Sequence, residues 1–263
     1  MSASAILPRR VSRSGNLLNQ MGTNADDSAV AAARMFARGV GAFLDAKMGA
    51  NLLGVYLLGS LAHGGFNRRY SDIDMALVTE TGIDDVTLDT IKAKAATLSP
   101  ELGTKLSIFW TNRQFTIGRF PPLDRVDYLD HAVALIERER VNPIRPTPQD
   151  IRAYLGGALF ANWGASARHF ACLDTLGSNE RKSYLRALLY PARFIYSWMT
   201  GGMASNDDAV AFLNVQQVPG LDFNLVAAAL QCRLDARDPD HLFSARAALP
   251  RHVKACARLV GLQ

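Results

Sequence analysis

Cysteine is scarce: there are three in 263 residues, Cys172, Cys232 and Cys256, far apart and odd in number. No CxxC pair and no Cys/His zinc spacing occurs, which excludes a disulfide framework and a structural zinc module. All three fall in helix-like segments and are expected to be buried and reduced, as in a cytoplasmic protein. Also missing is any apolar run of the roughly 18 residues a membrane-spanning helix needs. The best run, Leu52 to Leu58, contains Gly54 and reads as a buried strand. A secretory apolar core is absent from the N-terminal region. Blocks of one charge are lacking too. Lys and Arg total 29 against 24 Asp and Glu, a net charge of +5, and the arginines are scattered. That mild surplus suits polyphosphate binding. No basic helix or aromatic-basic interleaving argues for duplex nucleic acid.

With 49% hydrophobic and 20% charged residues the composition is that of an ordinary globular protein, long enough for one large or two modest domains. Residues 1–26 stand apart. They hold Arg9, Arg10, Arg13 and several serines, with no acid before Asp26. The composition resembles a targeting peptide, but there is no amphipathic period, so a disordered tail is expected. From Asp27 the apolar residues Val30, Met35, Phe36, Val40, Phe43 and Leu44 recur at helical spacing, with Ser28 as N-cap. Strands are expected over 51–58, 73–79, 106–110 and 132–136, with a helix over 84–98. Three prolines, Pro143, Pro146 and Pro148, then mark a linker. Thr147 as N-cap and Pro148 at the first helical position restart a helix. Helical patterns follow over 148–172, 180–200, 206–213, 222–235 and 241–260. The expected organisation is an α/β domain over 27–145, with a small mixed sheet and helices, and an all-α helical bundle over 146–263.

The segment Leu57-Leu58-Gly59-Ser60-Leu61-Ala62-His63-Gly64-Gly65-Phe66-Asn67-Arg68-Arg69-Tyr70-Ser71-Asp72-Ile73-Asp74-Met75 carries the chemistry. A strand ends in Gly59-Ser60. Glycine lets the backbone turn and brings its N–H groups close to phosphate oxygens, and the serine hydroxyl adds a donor. Asp72 and Asp74 flank one residue, so on a strand they share a face. Two adjacent carboxylates repel each other unless a cation sits between them. Mg²⁺ is the natural occupant, since it takes hard oxygen ligands from carboxylates and substrate phosphates. Ile73 and Met75 then face the core.

A strand, Gly-Ser, a spacer and Asp-x-Asp on the next strand resemble the nucleotidyltransferase superfamily. Further on, Arg193-Phe194-Ile195-Tyr196-Ser197 and the Thr200-Gly201 turn, followed by Ser205-Asn206-Asp207-Asp208-Ala209, resemble the streptomycin/spectinomycin-type aminoglycoside adenylyltransferases. The resemblance implies transfer of AMP from Mg-ATP to a hydroxyl of a small, aminoglycoside-like molecule. Asp72 and Asp74 would hold Mg²⁺. Gly59 and Ser60 would hold the β- and γ-phosphates, and Arg193 would face the phosphates from the helical half. Asp174, Glu180, Asp207 and Asp208 are candidates for an acidic wall toward a cationic drug.

The chain also departs from that pattern. A third carboxylate is expected on the third strand, but Lys105 to Trp110 has none, and Ser107 or Lys105 stands in its place. The lysine expected after the Thr-Gly turn is Asn206. A base must then come from elsewhere. Asp124, Asp127 and Asp130 recur every three residues, so on a helix they would share a face, and Asp127 is the one taken as catalytic. The departure leaves two other functions open: nucleotidylation of a protein or tRNA, and nucleotide binding without transfer.

Overall fold

The computed structural model describes residues 23–262, so residues 1–22 of the expected tail lie outside the described residues. The first helix, α1 (Thr23–Met48), already includes residues 23–26, and Ser28 lies inside it instead of capping it. No glycine or proline interrupts the stretch between Thr23 and Ala37, so the alanine-rich helix extends past the first polar residue able to cap it.

Five strands form one mixed sheet in the order β4-β3-β2-β1-β5. β1 (Leu52–Leu57) lies between antiparallel β2 (Ile73–Thr79) and antiparallel β5 (Val133–Glu137). β3 (Leu106–Asn112) runs parallel to β2, and the short β4 (Gly118–Arg119) closes the edge. All of β1 is buried, because both faces of the sheet are covered. On one face Leu52, Val55, Leu57, Ile73, Met75 and Leu77 pack with α1 and with α3 (Asp85–Leu98). On the other, Leu53, Tyr56, Ala76 and Val78 meet Phe115, Phe120 and Tyr128. The alternation along β2 therefore sends Ile73 and Met75 to the α1 face, as expected, and Asp74 to the face with Ala76 and Val78.

Two elements differ from the sequence expectation in ways that matter for the site. Gly59–His63 is a one-turn helix, α2, at the start of the spacer, where no helix was expected. Phe120-Pro121-Pro122 leads straight into a helix absent from the expected elements. Pro122 opens helix α5 (Pro122–His131), because the fixed φ of proline suits the first helical turn. A short α4 (Pro100–Gly103), capped by Ser99, connects α3 to β3.

Beyond residue 147 every regular element among the described residues is helical. Thr147 and Asp150 form a reciprocal capping box on α6 (Pro148–Tyr154). The single helix expected over 148–172 is interrupted at Gly157, whose ψ of −130° breaks the helical path, and α7 resumes over Phe160–Cys172. α8 (Arg181–Thr200) ends on Gly201 at φ 70°, a left-handed cap that glycine adopts freely. α9 (Asn206–Gln216), α10 (Phe223–Leu234) and α11 (Leu249–Val260) complete the set. Residues 241–248, expected as the start of the last helix, belong instead to 3₁₀ turns over Pro239–Ala248, and the regular helix begins at Leu249. These helices share a core built on Leu155, Trp163, Tyr184, Leu188, Phe194 and Val226, which also takes in Tyr70 and Val126 from the sheet-bearing half. No helix among the described residues is long and apolar enough to cross a membrane. Cys232 and Cys256 are buried and free, but Cys172 is exposed, against expectation, because it falls in the last turn of α7.

Candidate active site

The site forms where β1 and β2 present their ends to α5 and α8. Gly59 has φ 59°, and a Cβ added there would lie 2.6 Å from Asp74 Oδ2. Only glycine satisfies both the left-handed backbone and this approach. Leu58 N–H donates to the Asp74 carbonyl at 2.9 Å, which locks the turn to the head of β2. Ser60 follows, half-buried, in the first turn of α2.

Asp72 precedes β2, and Asp74 is the second residue of the strand. Asp74 is half-buried, and its carboxyl is pushed up to about 6, by burial first and then by the charges of Asp72 and Asp127, with Arg193 acting in opposition. Asp72 is engaged from the helical half: Lys182 Nζ donates to Oδ1 at 2.5 Å and Arg186 Nη2 to Oδ2 at 3.1 Å. In the parallel register the partner of Asp74 is Ser107, so no acid stands beside it on β3. Lys105 turns away and donates to the Arg68 carbonyl.

The missing acidity comes from α5 instead. Asp127 is 2% exposed, and its Oδ2 accepts the Gly59 N–H at 2.7 Å. Its Oδ1 has no hydrogen-bond partner and lies 3.7 Å from His63 Nε2. Burial lowers the pKa of His63 against the opposing pull of Asp127, which favours the neutral ring. Asp124, one turn earlier on α5, is pushed up to about 7 by burial, then by Asp74 and Asp127. Asp130 does not join them. It is exposed and pairs with Arg145, so only two of the three acids converge.

Arg193 arrives from α8 and lies within reach of the charges of Asp74 and Asp124. Solvent reaches it, yet protein atoms crowd it, the situation of a group on the floor of a cleft. That crowding, and then Arg186 beside it, lower its pKa. The acidic wall is incomplete. Glu180 is tied to His169 at 3.1 Å and to the Gly177 N–H at 3.0 Å, and Asp208 accepts from the Ser205 hydroxyl at the start of α9. Asp174 is exposed. Asp207 does approach the site loop, beside Gly65. Trp163 is core, its indole N–H bonded to the Ala187 carbonyl, while Trp198 is half-buried against Phe194.

Lys182, Arg186 and Arg233 are functional candidates that the sequence reading did not single out. The only local signal was the spacing of four between Lys182 and Arg186. The site is an open cleft. A cavity of about 480 Å³ beside Asn51, Gly82 and Trp110 lies at the other end of β2 and holds none of these residues.

Spectinomycin adenyltransferase AAD(9) from Enterococcus faecialis, crystallised with ATP and spectinomycin, superposes with a TM-score of 0.60 over 84% of this chain and 99% of that one, at 14% sequence identity. The chain has the nucleotidyltransferase fold. No protein-family model and no curated protein matches it by sequence. The resemblance seen in the Gly-Ser and Asp-x-Asp motifs is thus matched at the level of three-dimensional structure.

The donor set suits a magnesium ion. No three His, Cys, Asp or Glu side chains among the described residues converge into a protein-only cage. Mg²⁺ does not require one, since it binds through one or two carboxylates together with substrate phosphates. The orphaned Oδ1 of Asp127 is an unpartnered oxygen ligand, and the carboxyl of Asp74, raised by burial and then by Asp72 and Asp127, is one that a cation would hold ionised.

Proposed function

We propose that the chain is a Mg²⁺-dependent adenylyltransferase that moves AMP from ATP to a hydroxyl of a small molecule, with an aminoglycoside-like antibiotic as acceptor. The observation that supports this reading is the close approach of Gly59 to Asp74, which sets the Gly59-Ser60 turn against the Asp-x-Asp pair. The acceptor class follows the fold neighbour, which was crystallised with ATP and spectinomycin. Three free cysteines suit a cytoplasmic location.

In this reading Asp72 and Asp74 would hold Mg²⁺, which when bound would supply charge neutralisation to the phosphate oxygens. Ser60 and Arg193 bind and orient the triphosphate, and Gly59, whose N–H is taken by Asp127, shapes the turn that carries Ser60. Asp127 acts through Gly59, fixing the turn by the bond to its N–H. Asp124, on the same face of α5 and with its pKa near 7, takes the proton of the acceptor hydroxyl. The freed oxygen attacks the α-phosphorus, the bond to the β-phosphate oxygen breaks, and pyrophosphate leaves. The role first assigned to Asp127 is thereby shared between two residues one turn apart.

The pairing of Ser107 with Asp74 favours a second reading, nucleotide binding without transfer, because the strand lacks the acid expected there. One assay separates the two: pyrophosphate release with Mg-ATP across aminoglycosides including streptomycin and spectinomycin, beside Asp74→Ala. Release that depends on acceptor and on Asp74 supports transfer. ATP binding with no release across the panel favours the second reading, or a protein or tRNA acceptor, which labelled nucleotide incorporation in a lysate would reveal.

A further inference from the structure

Lys182 lies in the first turn of α8 and Arg186 one turn later, so both project from the same face of the helix. Cations are disfavoured at a helix N-terminus, where the macrodipole is positive, and the first turn of α8 holds no acid to offset them. Helix stability therefore does not explain Lys182. Its partner does. Lys182 Nζ donates to Asp72 Oδ1 at 2.5 Å, and Arg186 Nη2 donates to Asp72 Oδ2 at 3.1 Å. Both oxygens of this carboxylate are thus engaged from one helix. The Lys182 and Asp72 side chains are 34% and 29% exposed, so water screens this pair less than a pair on the open surface. Arg186 is 60% exposed and contributes less.

The backbone that carries Asp72 is fixed independently of Lys182. Arg69 Nη1 donates to the Ala236 carbonyl at 3.0 Å, the Tyr70 hydroxyl donates to the Arg237 carbonyl, and Arg233 Nη2 donates to Ser71 Oγ at 2.8 Å. On the other side of Asp72 the Ile73 N–H donates to the Lys105 carbonyl at 2.8 Å. Loss of the Lys182 bond therefore frees the Asp72 carboxylate and leaves its main chain in place. That carboxylate oxygen has a second claimant, since Mg²⁺ ligates carboxylates at about 2.0–2.1 Å. An ammonium and a divalent ion on one Oδ1 would lie within about 5 Å of each other, and like charges at that range repel strongly where water is partly excluded.

We propose that Lys182 is a built-in counter-ion that competes with a divalent cation for Asp72 Oδ1, and that the cleft takes up the metal only as Lys182 lets go. The inference rests on the reading of Asp72 as a metal ligand and deepens it. Lys182 keeps the carboxylate paired and holds the affinity of the cleft for free metal low. One bond between α8 and the head of β2 is exchanged for the ion, while the bonds of Arg69, Tyr70 and Ser71 persist.

The test counts free Mn²⁺ by electron paramagnetic resonance in titrations of the full chain without nucleotide, since manganese shares the preference of magnesium for hard oxygen ligands. The variants are Lys182→Met, Lys182→Arg, Lys105→Met, Asp72→Asn and Lys182→Met combined with Asp72→Asn, with thermal melts to confirm folding. Lys182→Met should bind Mn²⁺ about tenfold more tightly than wild type, the order expected once a competing charge-assisted hydrogen bond is removed. Lys182→Arg, which keeps the cation, should stay within about threefold of wild type. Lys105→Met removes a neighbouring charge whose ammonium turns to the Arg68 carbonyl, and should also stay within about threefold. Asp72→Asn should cancel the gain. If Lys182→Met fails to fold, Lys182→Gln carries the comparison. Affinity in Lys182→Met equal to wild type or weaker overturns the proposal. An equal gain in Lys182→Arg or Lys105→Met overturns it as well, because net charge or general loosening would then be the cause. So does a gain that survives Asp72→Asn. Mn²⁺ binding that depends on Asp72 but not on Lys182 sinks this inference and leaves the metal role of Asp72 standing. No Mn²⁺ binding in any variant removes both. Tighter binding in Lys182→Met by a chain that never releases pyrophosphate sinks the transfer reading and leaves this one standing.

Discussion

Asp127 reaches back 68 residues to accept the N–H of Gly59 at 2.7 Å. The bond joins the middle of α5 to the turn that leaves β1; Gly59 lies against Asp74, whose carboxyl also feels the charge of Asp127. The bond fixes the shape of the turn and uses the Gly59 N–H, so in this structure that donor is turned to Asp127 and not to the cleft. The same bond ties the stability of the α5 face to the geometry of the site.

Asp127→Ala should therefore destabilise the protein by about 1.5–3 kcal/mol, the range for a hydrogen bond to a charged group. For a chain of this size each kcal/mol lowers the melting temperature by about 2–4 °C. A thermal melt without nucleotide is the check. A change within error would mean the Gly59 N–H finds another partner at no cost.

Gly59→Ala strains the chain twice. Alanine at φ 59° costs about 1–2 kcal/mol, and its methyl group would press on Asp74 Oδ2. The expected variant is folded, with pyrophosphate release reduced about a hundredfold, the usual result of an ångström-scale displacement at a reacting centre. Near-normal turnover would show that the Gly59–Asp74 contact is not the basis of activity.

The raised pKa of Asp74 predicts a pH-dependent stability. In the unfolded chain the group titrates near 3.8, and in the folded protein near 6. Between these values the native state holds the extra proton, so the protein loses stability as pH rises through that window. Asp74→Asn removes the penalty. Its melting temperature should exceed that of wild type at pH 7.5, and the gap should close as pH falls toward 4. Added Mg²⁺ should narrow the gap at pH 7.5 by stabilising wild type alone. A gap that stays constant with pH would contradict a buried, repelled carboxylate.

Ser107→Glu would place an acid across from Asp74, in the register the strands already have. Like charges on neighbouring strands should cost on the order of 1 kcal/mol without a divalent cation, and Mg²⁺ should restore the loss. Melts with and without Mg²⁺ measure both. If Mg²⁺ brings no recovery, the two side chains do not share one cation site.

Much of the architecture was legible in the chain because it depends on local patterns. The strands at 52–57 and 73–79, the Thr147 cap and the Gly201 stop all arise from periodicity and from residues with narrow backbone preferences. Where the reading missed, competing local forces were close. Ser28 could cap a helix but did not need to. The pattern over 148–172 continued through Gly156-Gly157, where the backbone itself gave way.

The motif told the same story up to a limit. Gly59-Ser60 and Asp72-x-Asp74 are near enough in sequence for their shared face to follow from strand geometry alone. So the sequence by itself determined a strand that ends in a glycine turn, paired carboxylates on the next strand, and a helical second half. Which carboxylates and cations surround Asp74 was decided only by tertiary packing. Asp124 and Asp127 come from a helix that crosses the sheet, and Asp130 on the same helix turns out to Arg145. Lys182, Arg186, Arg193 and Arg233 come from α8 and α10, more than a hundred residues from the motif. No local pattern encodes such a meeting, because charges acquire partners and shifted pKa values only once the chain has folded and excluded most of the water between them.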